Sequence, residues 1–129
     1  MWELLQSFTP ARIVNVSSHV HRRFAPESGL DFGKLNDPNA LGSMQCYGQS
    51  KLANILFTNE LDKRYHEGKQ IYANSLRPGV VDTKLIKERY ISLPEEFVSS
   101  SITPDDGAIT TLYCSTSPEI EEKLSNKIF

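Results

Sequence analysis

From Met44 to about His66 the chain contains no proline, and a short strand-like run lies on each side, Arg-Ile-Val-Asn-Val at 12–16 and Ile-Tyr-Ala-Asn-Ser-Leu at 71–76. The first run is β-branched and almost continuously apolar, the signature of a strand buried on both faces, as in a parallel sheet. In the central stretch Leu52, Ile55, Leu56, Phe57 and Leu61 cover more than one narrow stripe, which predicts a helix covered on two sides. Glu60 with Arg64, and Asp62 with His66, add acid-first pairs one turn apart. Strand, helix and strand in this order make a βαβ unit with a right-handed crossover. The expected fold is α/β with the two strands adjacent and parallel. Its interior should include Ile13, Val14, Val16, Leu52, Ile55, Leu56, Ala73 and Leu76.

The remaining segments attach to this unit. Residues 2–8 read as the last turns of a helix that Pro10 stops. The stretch from His19 to Ser43 is polar and holds Pro26, Gly29, Gly33, Pro38 and Gly42, so a long loop is expected, with a short turn at 30–32. A short helix from Lys84 to Tyr90 and a loop over 91–102 should follow the second strand. Thr103-Pro104-Asp105-Asp106 is a helix start with an N-cap, an N1 proline and an acidic first turn. Residues 124–129 should begin a third strand.

With 129 residues there is room for one domain with a modest core. A net charge of −2 without a basic stripe excludes an electrostatic nucleic-acid binder. The N-terminal residues show no signal peptide, and no apolar run is long enough to span a membrane. Cys46 and Cys114 stand in no metal-ligand spacing, so reduced thiols in a cytoplasmic setting are expected. His19 and His21 lack a third ligand at useful spacing and read as loop histidines facing solvent, with no metal expected.

The chemistry lies inside the long helix. Tyr47 and Lys51 stand four residues apart, which puts them on one helical face one turn from each other. A phenol beside an ammonium ion is a chemically specific pair, because the positive charge favours the phenolate that an acid–base catalyst needs. Alone, Tyr-x-x-x-Lys also describes an ordinary amphipathic helix. Its neighbours add weight: Ser17-Ser18 leaves the carboxyl end of the first strand, and Arg77-Pro78-Gly79-Val80-Val81-Asp82-Thr83 leaves the same end of the second. Ligands of open α/β sheets bind at that edge.

These features, in this order, resemble the short-chain dehydrogenase/reductase family, and within it the retinol dehydrogenase-like branch. Arg12 through Ser18, Tyr47 through Phe57, and Thr103 through Cys114 carry the likeness, which covers nearly the whole chain. The resemblance implies a partial Rossmann-like, doubly wound parallel sheet, the C-terminal half of such a domain, spanning residues 1–129. It implies hydride transfer between a nicotinamide cofactor, NAD(P) with NADP slightly preferred, and a small alcohol or carbonyl. Ser18 would then hydrogen-bond the substrate oxygen, Tyr47 would exchange its proton, and Lys51 would assist Tyr47 and hold the nicotinamide ribose. Pro78, Gly79 and Val81 would line the nicotinamide, with the Thr83 hydroxyl beside it. Ser17 is expected to face the other way, since neighbours in a strand alternate. Residues 19–43 and 85–102 would shape the substrate pocket.

The likeness has a gap. No glycine-rich G-x-x-x-G-x-G turn for the pyrophosphate occurs in these residues. The expectation is a catalytic half without the nucleotide-binding half, weak in cofactor binding and turnover by itself. A non-catalytic remnant that binds a partner, or an unrelated α/β binding module, stays open beside the enzyme. Self-association through the helix from Met44 to His66 is a further expectation.

Overall fold

The computed structural model describes residues 2–37, 39–66, 68, 70–87 and 95–122. In chain order these form α1 (Trp2–Ser7), β1 (Ala11–Val16), α2 (His21–Phe24), a 3₁₀ turn (Phe32–Lys34), α3 (Ser43–Tyr65), β2 (Ile71–Leu76), α4 (Lys84–Lys87), α5 (Glu95–Ser99), α6 (Pro104–Thr116) and α7 (Glu119–Glu122). The two strands pair in parallel, in a register running from Ala11 opposite Ile71 to Val16 opposite Leu76. The expected βαβ unit is therefore present, with α3 as its crossover and with α3 and α6 packed on the strands.

The strands differ in burial. In β2, Ile71, Ala73, Asn74, Ser75 and Leu76 are all buried, whereas in β1 only Ala11 is. Of the expected interior, Ile55, Ala73 and Leu76 are buried, and Ile13, Val14 and Leu52 are half-buried. Val16 and Leu56 overturn the expectation, at 42% and 45% exposure. Val16 ends its strand at the wall of a cavity, and Leu56 lies with Phe57 on a face of α3 turned from the sheet.

Polar side chains fix how α3 lies on the sheet. Asn15 Nδ2 donates to Thr58 Oγ1 at 2.9 Å, and the buried Asp62 accepts from the Ala73 amide at 3.5 Å. Buried polar groups hold position only when paired, and these pairs tie the helix to one azimuth. On the other helical layer, Arg12 Nη2 donates to Glu121 Oε1 at 2.6 Å, linking β1 to α7. Thr103 Oγ1 accepts from the Asp106 amide at 3.1 Å and caps α6, as the sequence predicts.

Two loop expectations are corrected. The 19–43 stretch contains α2 as well as its 3₁₀ turn, and α5 lies within the segment read as loop. α2 forms because α3 covers it at Gly48, where an added Cβ would sit 2.8 Å from the Ala25 nitrogen and 2.9 Å from the Phe24 carbonyl carbon. The remainder of the expected 84–90 helix beyond Lys87, and the third strand over 124–129, lie outside the described residues.

Candidate active site

The carboxyl ends of β1 and β2 open into a cavity of about 730 Å³. The ladder continues one step past β1, with the Ser17 amide donating to Leu76 O at 2.6 Å, which brings Ser17-Ser18 beside Arg77-Pro78-Gly79. Every residue expected at the site, namely Ser18, Tyr47, Lys51, Pro78, Gly79, Val81 and Thr83, lines this one cavity.

Both serines line the cavity, contrary to the expectation that Ser17 faces away, but their hydroxyls are engaged differently. Ser17 is buried, and its hydroxyl donates to the Lys51 carbonyl at 2.7 Å, so it is committed to α3. Ser18 is half-buried, with its Oγ accepting from the Val20 amide at 3.3 Å and its carbonyl from His21 Nδ1 at 2.6 Å. A carbonyl can only accept, so His21 carries a proton on Nδ1.

On α3 the one-turn offset holds. The Lys51 ammonium lies 5.5 Å from the centroid of the Tyr47 ring, within cation–π range. The same Nζ donates to Val16 O at 3.2 Å, and Asn54 Nδ2 donates to that oxygen at 3.0 Å. Lys51 is thus held at three points: its carbonyl by Ser17, its ammonium by Val16 O, and the helix beside it by Asn54. Sequence reading did not single out Asn54. Its signal was its place seven residues after Tyr47 and three after Lys51, on the sheet-facing side of α3.

The segment after β2 is pinned by a distant residue. Ile102 donates to Val80 O at 2.8 Å and accepts from the Asp82 amide at 2.9 Å, a parallel bridge of Val81 with Ile102. Gly79 turns the chain here with φ +94°, a backbone conformation that only glycine adopts without strain. α6 closes in equally tightly: a Cβ on Gly107 would meet Val81 Cγ2 at 2.5 Å. From the expected pocket segments His19, Val20, Arg22, Arg23, Phe24, Leu85 and Ile86 reach the cavity. Pro104, Gly107 and Ala108 of α6 reach it too, which sequence reading missed.

His19 is an exposed loop residue, as expected, but it has a partner. Arg77 Nη1 lies 2.8 Å from His19 Nδ1. A guanidinium only donates, so Nδ1 is the acceptor and the ring proton sits on Nε2. Partial burial, then the charges of Arg77, Arg22 and His21, hold the imidazole below its ordinary range.

Cys46 is exposed, Cys114 is buried, and both are free thiols. Among the described residues no helix is long and apolar enough to cross a membrane.

No model of a known protein family matches the chain. Individual proteins do. It is 39% identical over 124 residues to human retinol dehydrogenase 14, covering 92% of this chain and 35% of that one. An uncharacterised oxidoreductase of Schizosaccharomyces pombe is 43% identical over 123 residues, covering 89% of the chain and 35% of that protein. The chloroplastic short-chain dehydrogenase TIC 32 A of Brassica napus is 33% identical over 123 residues, covering 91% and 38%. The chain thus spans a little over a third of the length of these relatives. Among solved structures, a putative uncharacterised protein from Mycobacterium paratuberculosis superposes with a TM-score of 0.60 at 29% identity, over 92% of this chain and 36% of that one. Salutaridine reductase from Papaver somniferum shares the fold with a TM-score of 0.67 at 19% identity, over 99% and 48%. Over 92% of its length, therefore, this chain is homologous to the short-chain dehydrogenases/reductases, retinol dehydrogenases among them.

Proposed function

We propose that this chain carries the catalytic part of a nicotinamide-dependent oxidoreductase acting on a small alcohol or carbonyl. The observation that supports it best is the convergence of Ser18, Tyr47, Lys51 and the 78–83 segment on one cavity. At about 730 Å³ this cavity is within the range that takes a ligand of drug size.

The residues present suit the nicotinamide end of NAD(P). The turn at Gly79 brings bare backbone to the wall, Pro78 and Val81 supply apolar surface for a flat ring, and Thr83 offers a hydroxyl. Lys51 has three ammonium donors; with one on Val16 O it can still hold ribose hydroxyls. When bound, the cofactor accepts or delivers the hydride. Ser18 would donate to the substrate oxygen and stabilise charge that develops there. Tyr47 would take the proton from that oxygen in oxidation and return it in reduction. The Lys51 ammonium stands beside the Tyr47 ring, 5.5 Å from its centroid. Ser17, Asn54 and Val16 would keep Lys51 in place throughout the cycle.

A preference for NADP rests on family likeness alone. Cytoplasmic residence belongs to the same proposal and is supported by the two free thiols. Self-association through α3 is supported by the exposed Leu56 and Phe57.

The test exchanges this chain for the segment of human retinol dehydrogenase 14 that it matches. The chimera should transfer hydride to or from NADP(H), and Tyr47→Phe should lower kcat by at least about a hundredfold while leaving the fold intact. A Tyr47→Phe chimera as active as its parent would refute the assignment. An inactive but folded parent chimera would favour the partner-binding alternative.

A further inference from the structure

The walls of the cavity are charged in one sense only. Arg22, Arg23, Lys51 and Arg77 line it, and among the described residues no carboxylate does. A second cavity of about 310 Å³ adjoins it, lined by His19, His21, Arg22 and Arg77 and again by no acidic residue among those described. The two share Arg77, His19 and Arg22. This is not the by-product of a basic protein, because the chain as a whole carries 16 acidic against 14 basic residues. Concentrating cations in a concave site focuses the field on whatever enters it.

The four cations are not equivalent. Lys51 is engaged at Val16 O and at the Tyr47 ring, where the proposed chemistry needs it. Arg23 lies over the Phe24 ring, 5.6 Å from its centroid. Arg77 is steered by His19, and that partner does not neutralise it: a neutral imidazole takes one N–H and leaves the full charge. Among the described residues, none of the four makes an ion pair. The His19 Nε2–H, opposite the nitrogen that accepts from Arg77, adds a neutral donor to the same cluster. Beyond these groups the large cavity is walled by Phe24, Met44, Leu85 and Ile86. Cationic and apolar side chains lining one cavity suit an amphipathic anion.

We infer that the small molecule taken by this cavity carries a carboxylate on an apolar body, and that Arg77, oriented by His19 and seconded by Arg22, binds the carboxylate. The inference rests on the oxidoreductase reading only in calling that molecule a substrate; the binding itself needs neither cofactor nor turnover. Arg77 is then a specificity residue. Its forked donors suit a carboxylate in a way that a single ammonium would not.

The experiment is a titration of the 129-residue chain, free of cofactor, with 4-phenylbutyrate, 4-phenylbutan-1-ol and inorganic phosphate, followed by ¹⁵N NMR. The first two probes share a body and differ in charge; the third carries charge without a body. The carboxylate should bind about tenfold more tightly than the alcohol, and that margin should shrink as salt is added. Arg77→Gln should bring the two towards equal affinity and Arg22→Gln should narrow the gap. Arg64→Gln, an exposed change on α3 outside the cavity, should leave it alone. Equal affinities in the parent chain, binding of neither organic probe, or a margin untouched by both Arg77→Gln and Arg22→Gln would overturn the inference. So would phosphate binding as tightly as phenylbutyrate, since the apolar body would then count for nothing. A failed hydride-transfer assay bears on Tyr47 and not on this result, so the two readings can fail separately.

Discussion

Gly48→Ala probes the contact that builds one wall of the cavity. Gly48 is buried in α3, directly after Tyr47, where α2 crosses the helix. A methyl group there would meet the Ala25 nitrogen at 2.8 Å, the Phe24 carbonyl carbon at 2.9 Å and Phe24 Cβ at 3.0 Å. Ordinary contacts begin near 3.4 Å, so α2 must retreat by about 0.6 Å, and two of the three obstructing atoms are backbone that cannot rotate aside. Two effects oppose each other. Alanine in a helix interior is favoured over glycine by about 1 kcal/mol, while overpacking typically costs about 1–3 kcal/mol. Because the obstruction is backbone, overpacking should win and the variant should lose about 1 kcal/mol net. Urea denaturation followed by circular dichroism reads this as a lower midpoint at unchanged slope. A Gly48→Ala chain as stable as the parent, or more so, would show that the close approach of α2 to α3 does not constrain either element.

Two further outcomes follow from the charge pairs. His19 is held below its ordinary range, so between that lowered value and about 6.5 the unfolded chain binds more protons than the folded one. Its contribution is complete above about pH 6.5 and is lost as pH falls through the folded value, so His19→Gln should be less acid-sensitive over that window in a pH series of melts. Glu121→Ala leaves the Arg12 guanidinium without its partner at 15% exposure, whereas Arg12→Met removes the charge and keeps the bulk. Glu121→Ala should cost about 1–2 kcal/mol, the pair being only partly buried, and Arg12→Met less, as measured by denaturant melts; the reverse order would contradict this reading.

The parts of the molecule legible in its sequence are those where local pattern and tertiary burial agree. β2 is buried at nearly every position, and α3 has neither proline nor a break until its end, so both come out within a residue of their expected bounds. The convergence of the candidate residues on one cavity was legible for a related reason: Ser18 and Gly79 follow strand ends, Tyr47 and Lys51 stand one helical turn apart, and topology brings such positions to one edge. What escaped depends on partners distant in sequence. Ile102 pins Val80 and Asp82 through backbone groups that leave no side-chain signature. α2 is four residues long, too short for periodicity, and owes its place to Gly48. Val16 belongs to an apolar run that reads as a strand buried on both faces, but it closes that strand at a cavity wall. The pairing of His19 with Arg77 joins residues 58 apart, and neither strand pattern nor helical spacing links them.

The central claim is that the nicotinamide end of the cofactor enters between Lys51 and the 78–83 segment. Titrating the ¹⁵N-labelled chain with nicotinamide mononucleotide tests it without requiring turnover or the glycine-rich turn that these residues lack. With so few contacts, affinity should be roughly millimolar, some three decades weaker than a micromolar whole-cofactor site at about 1.4 kcal/mol per decade. The amides of Ser18, Tyr47, Lys51, Gly79, Val81 and Thr83 should shift together along one saturating curve, and Tyr47→Phe should leave most of those shifts in place. Saturating shifts centred elsewhere, or no shift at any of these residues, would contradict the account.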